Sequence, residues 1–495
     1  MNDEFANELI KAEFMPFEIR NLSKDEIIDE KIFNYISAIE DKFKREKIIL
    51  QLEEQAKKVN CLANFKRILK DYNKKINTNN KQFIQKEQLK HNEVAEELLQ
   101  QKSIGIYEGK LYIYANGVYL VNRKNIEKEI IKILPEANSY FRNEVYQYLL
   151  LNAKEFKVDK ESGIINFKNG LFNIRDKTLH CHTPNFFSIN QINTNYNPDI
   201  KSVQAVDDML DKISTNNQLR KQAILEMIGY SMTTSVKLQK AFILYGEKAR
   251  NGKSTLINII TELIGRENIG NVSFKDMNKN RFAASGISGK LLNVGSEMTD
   301  DYLEDVSIFK MFITGDYLEI EEKFKPKQTI SPFAKFIFNA NSLPCVADKT
   351  NGFYRRLHII PLETSFTDKD AEKFNFDELV TQESLEYLAK LSLDAYLSMK
   401  ENFSNYEESK KEIVKYMISA NSILSFISDK EYIYNFCKET RAHTATNVYA
   451  AYKVYCNENQ YRAIGRNKFY KEIEKNKLIT VIERNHQKIY VFNTN

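Results

Sequence analysis

Residues 241–256 read AFILYGEKARNGKSTL, and the architecture of the chain can be worked outward from them. Ala241–Tyr245 is a short apolar run with the length of a buried strand. Lys253-Ser254-Thr255 opens a helical pattern in which Leu256, Ile259, Ile260 and Leu263 share one face. Between them lies a loop that closes on Asn251-Gly252-Lys253-Ser254. Strand, loop, Gly-Lys-Ser and helix in that order make a phosphate cradle. Backbone N–H groups and the positive end of the helix face the phosphates, Lys253 reaches the terminal oxygens, and the Ser254 hydroxyl ligates Mg²⁺. The pattern predicts that Gly246, Asn251, Gly252, Lys253, Ser254 and Thr255 hold a nucleoside triphosphate with Mg²⁺. One detail departs from the motif: five residues separate Gly246 from Gly252, where the usual loop has about four. Either the loop carries an extra residue or Glu247 takes the first glycine's place.

The chain around this loop has 495 residues, too many for one core, so roughly two to four domains are expected. Hydrophobic residues make up 42% and charged residues 28%, the balance of a globular protein. No apolar run approaches the ~18 residues of a membrane span, and the acidic, amphipathic start MNDEFANELIKAEF does not read as a signal peptide. The expected setting is a cytoplasm without membrane attachment. Five dispersed cysteines with no CxxC pair argue against a disulfide framework and a zinc finger. A net charge of +5 is too small on this length to diagnose a nucleic-acid binder, so the placement of the charge matters more.

After the phosphate loop, 290–297 (KLLNVGSE) reads as a second buried strand, ending in Glu297. An acid at the end of a strand beside the phosphate-loop strand can serve Mg²⁺ and the attacking water. The preceding residue is Ser296, so Glu297 acts alone or with Asp300 or Asp301. A helix is expected over 303–314. Residues 317–331 (YLEIEEKFKPKQTIS) then read as a hairpin whose tip carries Lys323, Phe324, Lys325 and Lys327, cations for phosphates and a ring for bases. FAKFIF (333–338) is a third core strand, leading to Asn341, whose amide can bond a terminal phosphate. Arg355 and Arg356 precede a fourth strand at 358–361. An arginine there can reach a neighbouring subunit's nucleotide.

The first 80 residues read as a charged helical region, with Ile27, Ile32, Ile36, Ile39 and Phe43, then Ile49 and Leu52, at helical spacing and a polar linker over 74–81. Residues 81–235 form an α+β domain ahead of the motor. It has a hairpin turning at Asn116-Gly117, helices over 125–133 and 138–152, and a strand-rich patch over 163–192. His180-Cys181-His182 has strand spacing and no partner pair nearby, which argues against a metal site. Past the core at 236–365, a helical region fills 366–428, with helix expected over 366–403. At 429–495, an amphipathic helix capped by Thr444, a basic helix over 466–476 and a hairpin turning at Asn485-His486 outline a winged helix. Arg466, Lys468, Lys471, Arg484 and Lys488 are its candidate DNA contacts.

In this order the motifs resemble the superfamily 3 helicases, specifically the poxvirus and phage helicase-primases and the replication proteins of phage satellites and mobile islands. The resemblance rests on Gly246–Thr255, Leu291–Glu297, Lys310–Lys327, Phe336–Pro344 and the Arg355-Arg356 pair, and extends to NGLFNIRDKTLHCHTPNFF (169–187). It implies an α/β core of the AAA+-like P-loop type, a homo-hexameric ring, ATP hydrolysis with Mg²⁺, and movement along single-stranded DNA. Lys253, Glu297, Asn341, Arg355 and Arg356 would be its catalytic set. Duplex origin DNA and other replication proteins would be further partners. Many relatives carry a primase domain ahead of the motor, but the first hundred residues show neither a Cys/His zinc motif nor paired primase acids. The competing readings are an origin- or partition-site ATPase switch that does not unwind, and a P-loop kinase or small-molecule NTPase.

Overall fold

The computed structural model describes residues 19–39, 42–71 and 90–493, apart from 249, 281, 299–302, 323–326, 345, 347, 349, 368–369, 371–373, 460, 462 and 485–486. The expected linker at 74–81 and the side chain of Phe43 lie outside these residues. No described helix is long and apolar enough to cross a membrane. The chain divides into two compact units, Met1–Val94 and Ala95–Asn495.

In the first unit, helices Glu30–Ala38 (α1) and Lys42–Lys58 (α2) follow a helical turn at Lys24–Ile27. Ser23 and Glu26 cap that turn reciprocally. The expected helical stripe is the buried one: Ile27, Ile32, Ile36 and Leu52 pack with Phe33 and Phe65.

The division falls within helix His91–Gln101 (α3), after which come the strands Ile104–Tyr107 (β1), Lys110–Ala115 (β2) and Val118–Leu120 (β3). The sequence suggested one hairpin here, and the structure has two. Glu108-Gly109 (φ 47° and 67°) and Asn116-Gly117 (φ 51° and 84°) both take the left-handed conformation of tight hairpin turns. Helices Arg123–Ile133 (α4) and Ser139–Asn152 (α5) follow, with Lys154–Glu155 (β4) running parallel to β1. A second meander, Ile164–Phe167 (β5), Gly170–Asn173 (β6) and Thr178–His180 (β7), precedes helices Gln204–Ile213 (α6) and Gln218–Ser231 (α7).

The central sheet contains Ala241–Tyr245 (β8), Ile269–Gly270 (β9), Leu292–Met298 (β10), Lys335–Ala340 (β13) and Leu357–Pro361 (β14). All pairings are parallel, in the spatial order β14-β8-β13-β10-β9. Parallel strands are covered on both faces, which is why these segments read as continuous apolar runs. Helix Lys253–Ile264 (α8) follows β8, and Ser307–Thr314 (α9) follows β10. The expected helix over 303–314 begins late because Asp305 accepts from the Ser307 N–H at 2.8 Å, while Leu303 bridges to Val346. Between α9 and β13 stands the expected hairpin, Leu318–Ile320 (β11) paired with Gln328–Ile330 (β12).

One apolar core runs from Ile165 to Phe403, across the boundaries expected after 235 and 365. Within it α7 packs on Gln382–Ser398 (α10) so closely that a Cβ on Gly229 would lie 2.2 Å from the Ser392 carbonyl oxygen. The helix expected over 366–403 is shorter for a local reason. Among the described residues, Thr367 and Asp370 cap each other reciprocally at 2.8 and 3.3 Å, and the helical turn Phe376–Leu379 and then α10 follow separately.

β14 is an edge strand, and helix Tyr406–Ser419 (α11) covers it. Ser409 Oγ accepts from the Ile359 N–H at 2.8 Å, and the buried His358 pairs with Asn405 at 2.7 Å. Beyond α11 come helices Ser422–Ser428 (α12), Lys430–Phe436 (α13), Ala445–Glu458 (α14) and Arg466–Ile473 (α15). They pack on strands Ala442–Thr444 (β15), Ile479–Arg484 (β16) and Gln487–Phe492 (β17), ordered β15-β17-β16. The Thr444 side chain caps α14, and Val448, Tyr452 and Tyr455 are buried in this module's own core.

Burial pushes His358 down to about 3 from 6.5. A histidine that binds its proton less readily when folded contributes stability above its unfolded pKa, which is lost as pH falls. From pH 7 to pH 5, native protein should therefore lose about 2 kcal/mol more stability than a His358→Gln variant. Parallel denaturation curves for the two proteins would contradict this.

Candidate active site

β8 delivers the chain to the 246–252 loop at the carboxyl edge of the sheet, where ligands of open α/β sheets bind. Gly252 caps α8 in the left-handed conformation (φ 80°) and offers no side chain to the helix's first N–H groups. Those donors carry the positive end of the helix dipole toward the loop. Asn251 is buried, and its Nδ2 donates to the Lys248 carbonyl at 2.8 Å and the Gly246 carbonyl at 3.4 Å, stapling the loop across its width. Gly246 is needed for space rather than for an unusual φ. A Cβ there would lie 2.4 Å from Asn251 Nδ2 and 2.5 Å from the Leu362 carbonyl. Both glycines thus have a structural reason to be present despite the longer spacing.

Three strand ends meet at one side chain. Lys253 is 9% exposed, and its Nζ donates to the Gly246 carbonyl at 2.6 Å and to Asn341 Oδ1 at 2.5 Å. Asn341 Nδ2 in turn donates to the Glu297 carboxylate. Burial pulls the Lys253 ammonium below its ordinary value, and the Glu297 charge acts the other way. Glu297 is exposed because the β10–β13 register shifts between Gly295 and Met298, turning 296–297 out of the ladder. Ser254 is exposed and Thr255 half-buried in the first turn of α8. Asp300 and Asp301 lie outside the described residues. An open cleft of about 930 Å³ extends from Gly246 and Asn341 toward α11, where Glu412, Lys415 and Tyr416 line it.

Arg355 and Arg356 lie elsewhere. They precede β14, whose Leu357 pairs with Ala241 at the start of β8, so they occupy the opposite end of the sheet from Lys253. The tip residues Lys323, Phe324 and Lys325 lie outside the described residues, as do Asn485 and His486. Lys327 at the stem pairs with Glu321 at 3.3 Å and lies 3.9 Å from Glu319. In the C-terminal module Lys468, Lys471 and Arg484 are exposed, and Arg466 lies over the Tyr449 ring at 5.4 Å. Lys488 is tied to Glu474 at 2.9 Å. His182 is engaged by the Phe167 carbonyl at 2.9 Å and Asn166 at 3.0 Å.

Sequence reading missed a row of cations at the other edge of the sheet. Lys240 precedes β8, Lys290 lies just before β10, and Lys335 begins β13. Each ends on backbone carbonyls: Lys240 on Arg355 at 2.5 Å, Lys290 on Glu267 at 2.6 Å, and the buried Lys335 on Thr233 and on Phe333 at 3.0 Å. The available signal was a basic residue just ahead of each of these apolar runs.

Family models match this chain in three places. Residues 46–215 match a D5 N-terminal-like domain, 244–356 a family of unknown function (DUF5906), and 419–495 a poxvirus D5 protein-like domain. Among curated proteins, "Putative helicase L207/L206" of Acanthamoeba polyphaga mimivirus is 22% identical over 221 residues, which is 42% of this chain and 22% of that protein's length. Among solved structures, the apo C-terminal region of NrS-1 aligns with 81% of this chain and 99% of its own, at 14% identity and a TM-score of 0.49. A second apo structure, of residues 305–718 of NrS-1, aligns over 98% of its length with the same TM-score of 0.49.

A side chain at position 252 is strained twice over, since a Cβ would lie 2.7 Å from the Phe366 ring at a φ of +80°. Gly252→Ala should cost on the order of 1–3 kcal/mol of stability. A denaturation midpoint equal to that of the parent would show that the loop relaxes freely.

Proposed function

We propose, for a chain of the phage and poxvirus superfamily 3 helicase-primase type, that it is an ATP-driven DNA helicase and replication initiator acting as a ring. The observation that carries this reading is the chain of contacts from Lys253, the first residue of a glycine-capped helix, to Asn341 and on to Glu297, which stand at two strand ends. It suits a P-loop ATPase core. The 246–252 loop and the first N–H groups of α8 hold the phosphates, and Lys253 turns from carbonyl and amide acceptors to the terminal phosphate oxygens. Asn341 reads that phosphate. Glu297, exposed at the end of β10, polarises the attacking water.

The residues also suit a divalent cation. The Ser254 hydroxyl and the Glu297 carboxylate are exposed hard oxygen donors. Mg²⁺ held there would neutralise charge on the phosphates. An arginine of the 355–356 pair comes from the neighbouring copy, because no side chain at the far end of the sheet reaches its own chain's loop. Turnover moves the hairpin tip, Lys323–Lys327, along single-stranded DNA.

The domain reading stands with it: 1–80 as a helical N-terminal region, 81–235 leading into the motor, 236–365 as the ATPase core, 366–428 as a helical lid and 429–495 as a winged helix. Support for the last is the order of its elements, strand β15 and helices α14 and α15 followed by the β16–β17 hairpin. α15 presents Lys468 and Lys471 outward for duplex DNA. That exposed basic face also favours a second reading, an origin-binding ATPase switch without unwinding. Strand displacement on a forked duplex separates the two.

Lys253→Ala should lower DNA-stimulated ATP hydrolysis by at least about 10²-fold, while duplex binding stays near the parental level. Normal hydrolysis by this variant would overturn the site. Lys471→Ala should weaken duplex binding across all sequences and reduce the slope of log K against log salt by about one. An unchanged slope would remove α15 from the interface.

A further inference from the structure

We infer that Arg355, and not Arg356, is the side chain delivered to the neighbouring copy's nucleotide, and that Arg356 and Lys240 are positioning residues that hold it outward. The inference rests on the ring ATPase reading above and specifies which residue completes the shared site. β8 and β14 run parallel and in register from Ala241 beside Leu357 to Tyr245 beside Pro361. The arginine pair is fixed at the starting end, since the Ala241 N–H donates to the Arg356 carbonyl at 2.8 Å. Lys253 bonds Gly246 at the finishing end. Five residues of strand separate the two ends by ~17 Å, well beyond the reach of an arginine side chain. A guanidinium here serves another copy's nucleotide or none.

The two arginines are built differently. Arg355 is exposed, and its side chain has no hydrogen-bond or ion-pair partner among the described residues. Only its backbone is held: its N–H donates to the Asn351 carbonyl at 3.0 Å, and its carbonyl accepts from Lys240 Nζ at 2.5 Å. Lys240 is half-buried, and its charge stands close enough to the Arg355 guanidinium to repel it. The result is a fixed backbone with a guanidinium directed into solvent.

Arg356 turns inward. Its Nη1 donates to the Gly352 carbonyl one turn back, and its Nε is buried without a hydrogen-bond partner. Burial and the neighbouring charge of Arg355 disfavour its charged form, and the carboxylates of Asp316 and Asp348 act the other way. Asp348 is anchored to α9 through Lys310 at 2.7 Å, and Asp316 stands just ahead of the β11–β12 stem. Freeing Arg356 for a neighbour would break the Gly352 bond and withdraw a cation from both carboxylates. Arg356 is thus held within its own turn by the Gly352 carbonyl, where it backs the Arg355 backbone.

A mixing experiment tests this. Lys253→Ala and Arg355→Ala should each be inactive alone, the latter by about 10³-fold, with both chains still assembling. Combined in equal amounts with DNA and ATP, they should recover turnover. In a randomly mixed ring about one interface in four pairs an intact loop with an intact Arg355. Arg356→Ala and Lys240→Met should lower kcat about tenfold with KM for ATP unchanged, and Arg356→Lys and Lys240→Arg should restore part of it.

Recovery when Lys253→Ala is mixed with Arg356→Ala, but not with Arg355→Ala, would reverse the assignment. Failure of both mixtures would remove the shared site altogether. Hydrolysis by Lys253→Ala alone would strike the phosphate-loop reading instead, an outcome distinct from either.

Discussion

A lysine ammonium that is 9% exposed must find acceptors, because an unpaired charge in such a place costs several kcal/mol. Lys253 finds them at the carboxyl edge of the sheet, and much of the surrounding geometry follows. Its bond to Asn341 Oδ1 leaves the amide nitrogen to donate, which fixes Asn341 in one orientation and aims it at Glu297. For that relay to close, β8, β13 and β10 must end side by side in parallel register. Close packing between them follows: a Cβ on Gly295 would lie 2.3 Å from the Phe338 ring, so only glycine fits where β10 bulges against β13. The residues that carry charge and those that carry space are parts of one constraint.

The opposite edge of the sheet solves the same problem differently. Lys240, Lys290 and Lys335 also bring ammonium groups to strand ends, but they end on backbone carbonyls and not on carboxylates. Two of these carbonyls lie just past helix C-termini, Thr233 beyond α7 and Glu267 beyond α8, where the partial negative charge of the helix is concentrated. Burial lowers the lysines' affinity for protons, most strongly at Lys335. Helix ends and lysines thus hold the starts of the strands, while the carboxyl ends keep a glutamate and an amide for chemistry.

The legible parts of this fold were those whose signal is local. The phosphate loop, the 292–298 strand with Glu297, the Asn341 strand end and the hairpin stem each carry their pattern within about a dozen residues. The buried face of α14 was likewise readable from Val448, Tyr452 and Tyr455. Three strands were not. β4 and β9 have two residues each and β15 three, too few for any periodicity to register. The tight turn at Glu108-Gly109 was hidden because apolar alternation continues on both sides of it. Least legible was the cover over β14: His358 meets Asn405 across 47 residues, and nothing in either neighbourhood announces the other.

That cover decides how the parts of the second unit are joined. α11 holds β14 through Ser409 and its N-terminal neighbour Asn405, and further along the same stripe Glu412 and Tyr416 line the cleft beside the phosphate loop. Arg220, with a side chain 4% exposed, binds Glu408 of α11 at 2.6 Å and Glu363 just past β14 at 3.1 Å, locking helix and strand end to α7. From Ser419 only residues 420 and 421 lead into α12, and Asn421 is itself spent as that helix's cap, accepting from the Ile423 N–H at 3.1 Å. No slack segment lies on this path. β14, the wall of the cleft and the basic C-terminal module are therefore joined through α11. A shift of α11 at the cleft must be absorbed by β14, by α12, or by both.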